Sequence, residues 1–319
     1  MNITIAPLQS LAQAAGVAEL FLQVYGDGYP VALYYDAQRL LEVNREGSTL
    51  SQVACDQSGR VVGHCAAYPS APNPRLLELG AGLVHPDTRG MGTIAELVRG
   101  LVARSREESL ADWLFAEAVC NHTTTQRTVH REGFVDTALE VDLMPASAYT
   151  REASAVGRVS TLLSFLPISD SAAEVYLPEV YSREIQELYS ALGIERTFRE
   201  ATSLVGPPFS GEVGRWRNEE ADLLRLTVRS IGTELESCLT LSATVLQISL
   251  PLDGPQVGWA VQRARSAGFV LSGLLPRWAG SDHLLLQRFS GPTEWDRIAL
   301  ESVRAKTMLQ RVRGEALAP

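Results

Sequence analysis

Leu83-Val84-His85-Pro86-Asp87-Thr88-Arg89-Gly90-Met91-Gly92-Thr93 is the stretch that decides how this 319-residue chain reads. An apolar strand ends at Val84, a proline turn follows, and two glycines flank Met91. Directly after them, residues 93–109 read as a helix with Ile94, Leu97, Val98, Leu101 and Val102 on one side. The first turn of such a helix holds N–H groups without intrahelical partners, at the positive end of the macrodipole. Glycines at 90 and 92 let the main chain approach a ligand closely, so the arrangement suits a phosphate group. A lone G-x-G before a helix is equally explained by a tight turn, and the flanking segments have to decide.

Upstream, residues 3–7 alternate as a short strand, residues 10–25 are helical up to Gly26-Asp27-Gly28, and residues 31–45 form a second helix that stops at Gly47. Three strands follow at 49–55, 60–68 and 76–85, an antiparallel meander interrupted by the proline-rich loop at 69–74. Downstream, residues 113–120 are an almost continuous apolar run, as expected of a strand buried on both faces beside a parallel neighbour. A short helix at 123–131 ends at Gly133, and a strand occupies 135–143. A dinucleotide fingerprint would place G-x-G-x-x-G after a parallel first strand, and a phosphate-binding loop of the Walker type would need Gly-Lys-Ser/Thr. Here Gly92 is followed by Thr93-Ile94-Ala95-Glu96, and a meander precedes the loop.

With those segments in this order, the chain resembles the GNAT acetyltransferase superfamily over about residues 1–145. The resemblance is carried by residues 83–93, by Asn121, and by Arg131-Glu132-Gly133-Phe134. It implies an α/β (α+β) fold with a mixed central sheet of GNAT type. It also implies that Leu83, Val84, Arg89, Gly90, Met91, Gly92, Thr93 and Asn121 bind the pantetheine-pyrophosphate of coenzyme A or acyl-CoA. An oxyanion donor is expected among the backbone N–H groups near Val84, where adjacent strands splay apart in this fold. Glu78 stands where many members of the family hold a general base; the alternative is a glutamate on a solvated strand face. Two departures stand out. Asp87 occupies the head of the family's Q/R-x-x-G-x-G/A pattern, and Val129 falls where a tyrosine commonly protonates the leaving thiolate. His130, next to Val129, is then the candidate proton relay, against an ordinary exposed helix histidine. Asn121 has its own alternative, a helix N-cap region with Thr123.

The second half, 146–319, repeats part of this order: a strand at 244–250, a helix at 256–267, Gly268-Phe269, and a hairpin of 269–275 with 283–289. Helices are also expected at 178–192 and 295–313. Only residues 232–243 separate its strand at 223–231 from the next, with no G-x-G and too little chain for a long phosphate helix. Two GNAT-like domains in tandem are therefore expected, the second degenerate and lending an acceptor-site or interface surface.

A formal net charge of -9 disfavours nucleic acid as a partner, since that affinity comes from clustered Lys and Arg. The four cysteines are scattered without a C-x-x-C pair, which points to neither a metal site nor a disulfide framework and fits a cytoplasmic protein. No apolar run is long enough for a membrane helix. The expected function is an N-acyltransferase moving an acyl group from acyl-CoA, or from the phosphopantetheine arm of an acyl carrier protein, to an amine of a small molecule. The alternative is a non-catalytic acyl-CoA-binding sensor or scaffold. Acceptor specificity is expected to lie in residues 25–35, in the loop at 69–74 and in the second half.

Overall fold

The computed structural model describes residues 2–146, 157–201 and 206–318. Contacts divide the chain into two compact units: Met1–Glu117 with Thr128–Phe134 and Leu166–Ser169, and Ala118–Arg127 with Val135–Phe165 and Asp170–Pro319. The sequence boundary expected at 145/146 adjoins residues 147–156, which lie outside the described residues.

In the first unit, β1 (Thr4–Pro7), β2 (Leu50–Cys55), β3 (Val61–Pro69) and β4 (Leu76–Val84) pair antiparallel in that order. β5 (Trp113–Val119) joins β4 in parallel. Helix α1 (Leu11–Tyr25) opens with a capping box, in which Ser10 accepts from the Gln13 N–H and the Gln13 side chain reaches back. Such caps are worth about 1 kcal/mol. The second helix expected at 31–45 is broken. Ala32–Tyr35 is a single 3-10 turn, and Asp36 then caps α2 (Ala37–Glu46) through the Arg39 N–H. Helix α3 (Thr93–Glu107) packs Leu97, Val98, Leu101 and Val102 into a core with Leu77, Leu79 and Leu114. A separate cluster lies with α1 and α2, where Val17, Phe21, Tyr34 and Leu40 meet Val53, Val61 and Leu83. The sheet is thus covered on both faces, and β2 and β3 are buried along most of their length, polar Ser51, Gln52 and His64 included. Helix α4 (Thr124–Arg131) ends in a turn at Gly133, whose φ of 92° favours glycine.

The second unit holds a sheet in the order β7-β6-β13-β14-β12-β11-β10. Its strands are β6 (Val135–Pro145), β7 (Arg158–Pro167), β10 (Glu212–Asn218), β11 (Leu223–Ser230), β12 (Val245–Pro251), β13 (Val270–Leu275) and β14 (His283–Phe289). β11 and β12 run parallel from Leu223↔Val245 to Thr227↔Ser249, and the other neighbours are antiparallel. β6 and β13 meet at Ala138↔Gly273, where a Cβ on residue 273 would collide with the Thr137 carbonyl. β8 (Ala173–Leu177) and β9 (Arg196–Glu200) form a separate parallel pair. The helices are α5 (Ser182–Leu192), α6 (Glu234–Leu239), α7 (Val257–Ser266) and α8 (Val303–Ala316). The six-residue α6 is all that the short link between β11 and β12 accommodates. The helix expected at 295–313 starts later, because Ser302 provides the cap through the Ala305 N–H, after a single turn at Trp295–Arg297. Arg196 sits between Asp170 at 2.6 Å and Asp282 at 2.6 Å, tying the β8–β9 pair to the loop before β14.

Candidate active site

β4 carries the site. Its parallel pairing with β5 runs through Leu76↔Trp113, Leu77↔Leu114 and Glu78↔Phe115, and ends there although both strands continue. Glu78 is therefore the last β4 residue tied to β5, and the backbone beyond it is released on that edge. On its other edge β4 stays paired with β3, but the register slips between His64↔Leu83 and Ala66↔Gly80. The slip is a β-bulge centred on Ala81, which takes a φ of 49°. A bulge changes which residues share a face. Leu77 and Leu79 point into the α3 core, whereas Ala81 and Leu83 lie with the α1–α2 cluster.

The bulge is held from inside. His64 is fully buried on β3, and its Nδ1 lies 2.9 Å from the Ala81 carbonyl oxygen while its Nε2 lies 3.0 Å from the Ser51 hydroxyl. A carbonyl only accepts, so Nδ1 carries the proton and Nε2 accepts from Ser51. Burial pulls the imidazole down to about 4, which keeps it neutral. Ser51 is placed in turn by Asn44, whose Oδ1 accepts the Ser51 N–H at 2.7 Å.

Glu78 is half-buried on the α1 side of β4, and its Oε1 accepts a 2.9 Å hydrogen bond from the Tyr68 hydroxyl on β3. Tyr68 is the cross-strand partner of Glu78. Burial, then the neighbouring Glu78 carboxylate, holds the Tyr68 phenol above the ordinary tyrosine range, so it remains a donor. Gly80 completes the arrangement, because a Cβ there would stand 2.5 Å from the Tyr68 hydroxyl and 3.2 Å from Glu78 Oε1. Neither Tyr68 nor His64 stood out as a site residue in the sequence. Their roles depend on strand register, which the bulge shifts.

At the far end of β4, the loop forms a compact turn. The Thr88 hydroxyl donates to the His85 carbonyl at 2.9 Å, and the His85 Nδ1 accepts from the Asp87 N–H at 3.2 Å. Gly90 and Gly92 have φ of 79° and 80°, and a Cβ on either would meet nothing within 4 Å. Both therefore combine a left-handed backbone with open space in front of it. Gly92 is the cap of α3, so the unpaired N–H groups of the first helical turn open beside it. Arg89 and Met91 are exposed, Thr93 is buried, Leu83 is in the core and Val84 is half-buried. Asp87, at the departure from the family pattern, is exposed and leaves these backbone groups in place.

The structure thus gathers Glu78, Leu83, Val84, Arg89, Gly90, Met91, Gly92 and Thr93 along one strand and its loop. His130 is in the same compact unit, half-buried on the last turn of α4, where a histidine also favours the helix dipole. Asn121 is in the turn between β5 and α4, and falls in the other compact unit. Val129 is 1% exposed and belongs to the α3 core. Burial pushes the thiol of Cys65 up to about 12 and that of Cys120 up as well, so neither is a thiolate at neutral pH. Among the described residues no cluster of three or more His, Cys, Asp or Glu could hold a metal ion, and no helix is long and apolar enough to cross a membrane.

Residues 14–134 match the model of the Acetyltransferase (GNAT) family. This segment is a GNAT acetyltransferase domain. No curated protein matches the chain. Similar solved structures include the ribosomal-protein-S18-alanine N-acetyltransferase from Escherichia coli, at 15% identity and a TM-score of 0.40, covering 53% of this chain and 96% of that one. The ribosomal-protein-S5-alanine acetyltransferase from Vibrio fischeri matches at 11% identity and a TM-score of 0.43, covering 53% and 95%. A GNAT superfamily phosphinothricin acetyltransferase from Sinorhizobium meliloti, solved in complex with acetyl-CoA, matches at 19% identity and a TM-score of 0.41, covering 53% and 90%.

Proposed function

We propose that the GNAT domain transfers an acyl group from acyl-CoA to the amine of a small molecule, with Glu78 as general base. The observation that carries this reading is the placement of Glu78 at the last β4–β5 pair, with the glycine loop at the opposite end of the same strand. An acyl-CoA at this site supplies an activated thioester. The Gly90–Gly92 backbone and the first turn of α3 hold its pyrophosphate, assisted by Arg89 and Thr93. The backbone released from β5 beyond Glu78, near Leu83 and Val84, offers N–H groups to the acyl carbonyl. Glu78, oriented by Tyr68, takes a proton from the acceptor's ammonium, and the free amine then attacks the thioester carbonyl. His130 is the candidate relay to the leaving sulfur, since Val129 has no proton to give. The phosphopantetheine arm of a carrier protein would use the same strand and loop.

The strand order of the second half supports the tandem reading of domains 1–145 and 146–319. β13-β14-β12-β11 contains a parallel pair, β11–β12, that separates after Thr227↔Ser249 much as β4–β5 does after Glu78. With a six-residue α6 in place of α3, this repeat has no pyrophosphate site, and we assign it an acceptor-site or interface role. One observation favours a non-catalytic acyl-CoA sensor or scaffold instead: the buried valine at 129.

Replacing Glu78 with Gln separates the two. For the enzyme, release of free thiol from acetyl-CoA with an accepted amine falls on the order of 10²–10³-fold while acetyl-CoA affinity is retained. Acetyl-CoA binding by the wild type, with no thiol release across a broad amine panel, establishes the sensor.

A further inference from the structure

Near Glu78 the first unit carries a group of tyrosines packed around Phe21. Phe21 stacks on Tyr34 with ring centroids 4.7 Å apart, Tyr29 meets Phe21 edge-on at 4.8 Å, and Tyr25 lies 5.1 Å from Tyr29. The Tyr35 hydroxyl accepts the Tyr29 N–H at 3.0 Å, which folds residues 29–35 back on themselves. Tyr34 is buried, whereas Tyr25, Tyr29, Tyr35 and Tyr68 are half-buried and keep some accessible surface. Glu78 joins this group through Tyr68, and among the described residues its Oε2 makes no hydrogen bond. Burial together with the Glu78 charge raises the phenols of Tyr29, Tyr34 and Tyr68, and among the described residues no neighbouring cation offsets the effect.

We propose that Tyr25, Tyr29, Tyr35 and Tyr68 with Glu78 form the acceptor subsite, selective for a primary ammonium on a flat apolar body and without a carboxylate. This rests on the assignment of Glu78 as the base. The ammonium donates to Glu78 Oε2, and the phenol rings receive the cation's field and the apolar body. An α-amino acid would bring a second carboxylate next to Glu78, where no arginine or lysine among the described residues acts on the tyrosines, and that costs binding. Arylalkylamines are accordingly favoured over the amino acids of the same skeleton.

The test is calorimetric titration of the full chain with phenethylamine and with phenylalanine, each with and without coenzyme A, so that acceptor binding is read independently of turnover. Phenethylamine binds saturably, and phenylalanine binds at least about ten-fold more weakly. Tyr29→Ala weakens phenethylamine about ten-fold, whereas Tyr29→Phe, which keeps the ring, stays near wild type, and acetyl-CoA affinity serves as the folding control for both. Equal or tighter binding of phenylalanine overturns the proposal, as does an unchanged Tyr29→Ala. So does a chain that releases thiol with a peptide N-terminus or a polyamine but binds no phenethylamine. Failure to bind acetyl-CoA would count against the underlying acyltransferase reading, while the amine titration without coenzyme A still decides this one.

Discussion

The Nδ1–H of His64 donates to the carbonyl of Ala81 at 2.9 Å, joining a fully buried, neutral imidazole on β3 to the one residue of β4 whose φ is positive and non-glycine. The bulge at Ala81 sets the direction of the backbone that leaves β5 after Glu78. The polar chain Asn44–Ser51–His64–Ala81 runs through the core to hold it. A buried polar chain of this kind is costly unless every member is satisfied, and here each has its partner.

His64→Asn is expected to lower turnover on the order of 10²-fold by letting the bulge shift, with acetyl-CoA affinity little changed, as steady-state kinetics beside calorimetry would show.

The same residue makes the fold sensitive to acid. His64 and His283 are both pulled from the ordinary 6.5 to about 4 by burial. Between those values the unfolded chain binds protons that the folded chain refuses. Their contribution to stability is therefore complete above pH 6.5 and is lost as pH falls from 6.5 through 4. Each proton contributes a slope of about 1.4 kcal/mol per pH unit. Denaturant unfolding across this window should show the slope of His64→Asn reduced by up to one proton relative to wild type; equal slopes would contradict the burial of a neutral imidazole.

Gly80→Ala tests the pair on the opposite side of the bulge. Its Cβ would stand 2.5 Å from the Tyr68 hydroxyl, so the Tyr68–Glu78 hydrogen bond has to break or turn. Thiol release should fall by roughly ten-fold or more, with acetyl-CoA binding retained. Wild-type turnover in this variant would show that Tyr68 does not orient Glu78.

Much of this domain was legible in the sequence. The meander, α3 and the glycine loop were marked by apolar spacing and by Gly90 and Gly92, and the structure places them within a residue or two of where the pattern put them. The bulge was not legible, because Leu79-Gly80-Ala81-Gly82-Leu83 alternates smoothly and only cross-strand pairing exposes the extra residue. The Tyr68–Glu78 pair was hidden for the same reason. β7, the β8–β9 pair, β10 and α6 went unread in the second half; β9 is held by Arg196 bonding to Asp282, a contact between residues far apart in the chain.

Val129→Tyr would restore the hydroxyl that the GNAT resemblance leads one to expect. Val129 is 1% exposed within the α3 core, so the larger ring has no room. The variant should lose about 1–3 kcal/mol of stability by denaturant unfolding and gain no activity. A faster enzyme of unchanged stability would show that residue 129 reaches the site.

The central claim is that the Gly90–Gly92 loop holds the donor's pyrophosphate. Its most direct test is calorimetric titration of acetyl-CoA into the full chain and into Gly92→Asp, with circular dichroism confirming that both are folded. Residue 92 has a φ of 80° and open space before it, so an aspartate adds backbone strain and a negative charge where phosphate oxygens would sit. The wild type should bind acetyl-CoA saturably and the variant should show no measurable heat of binding. Equal affinity in the two, or no binding by the wild type, would contradict the assignment.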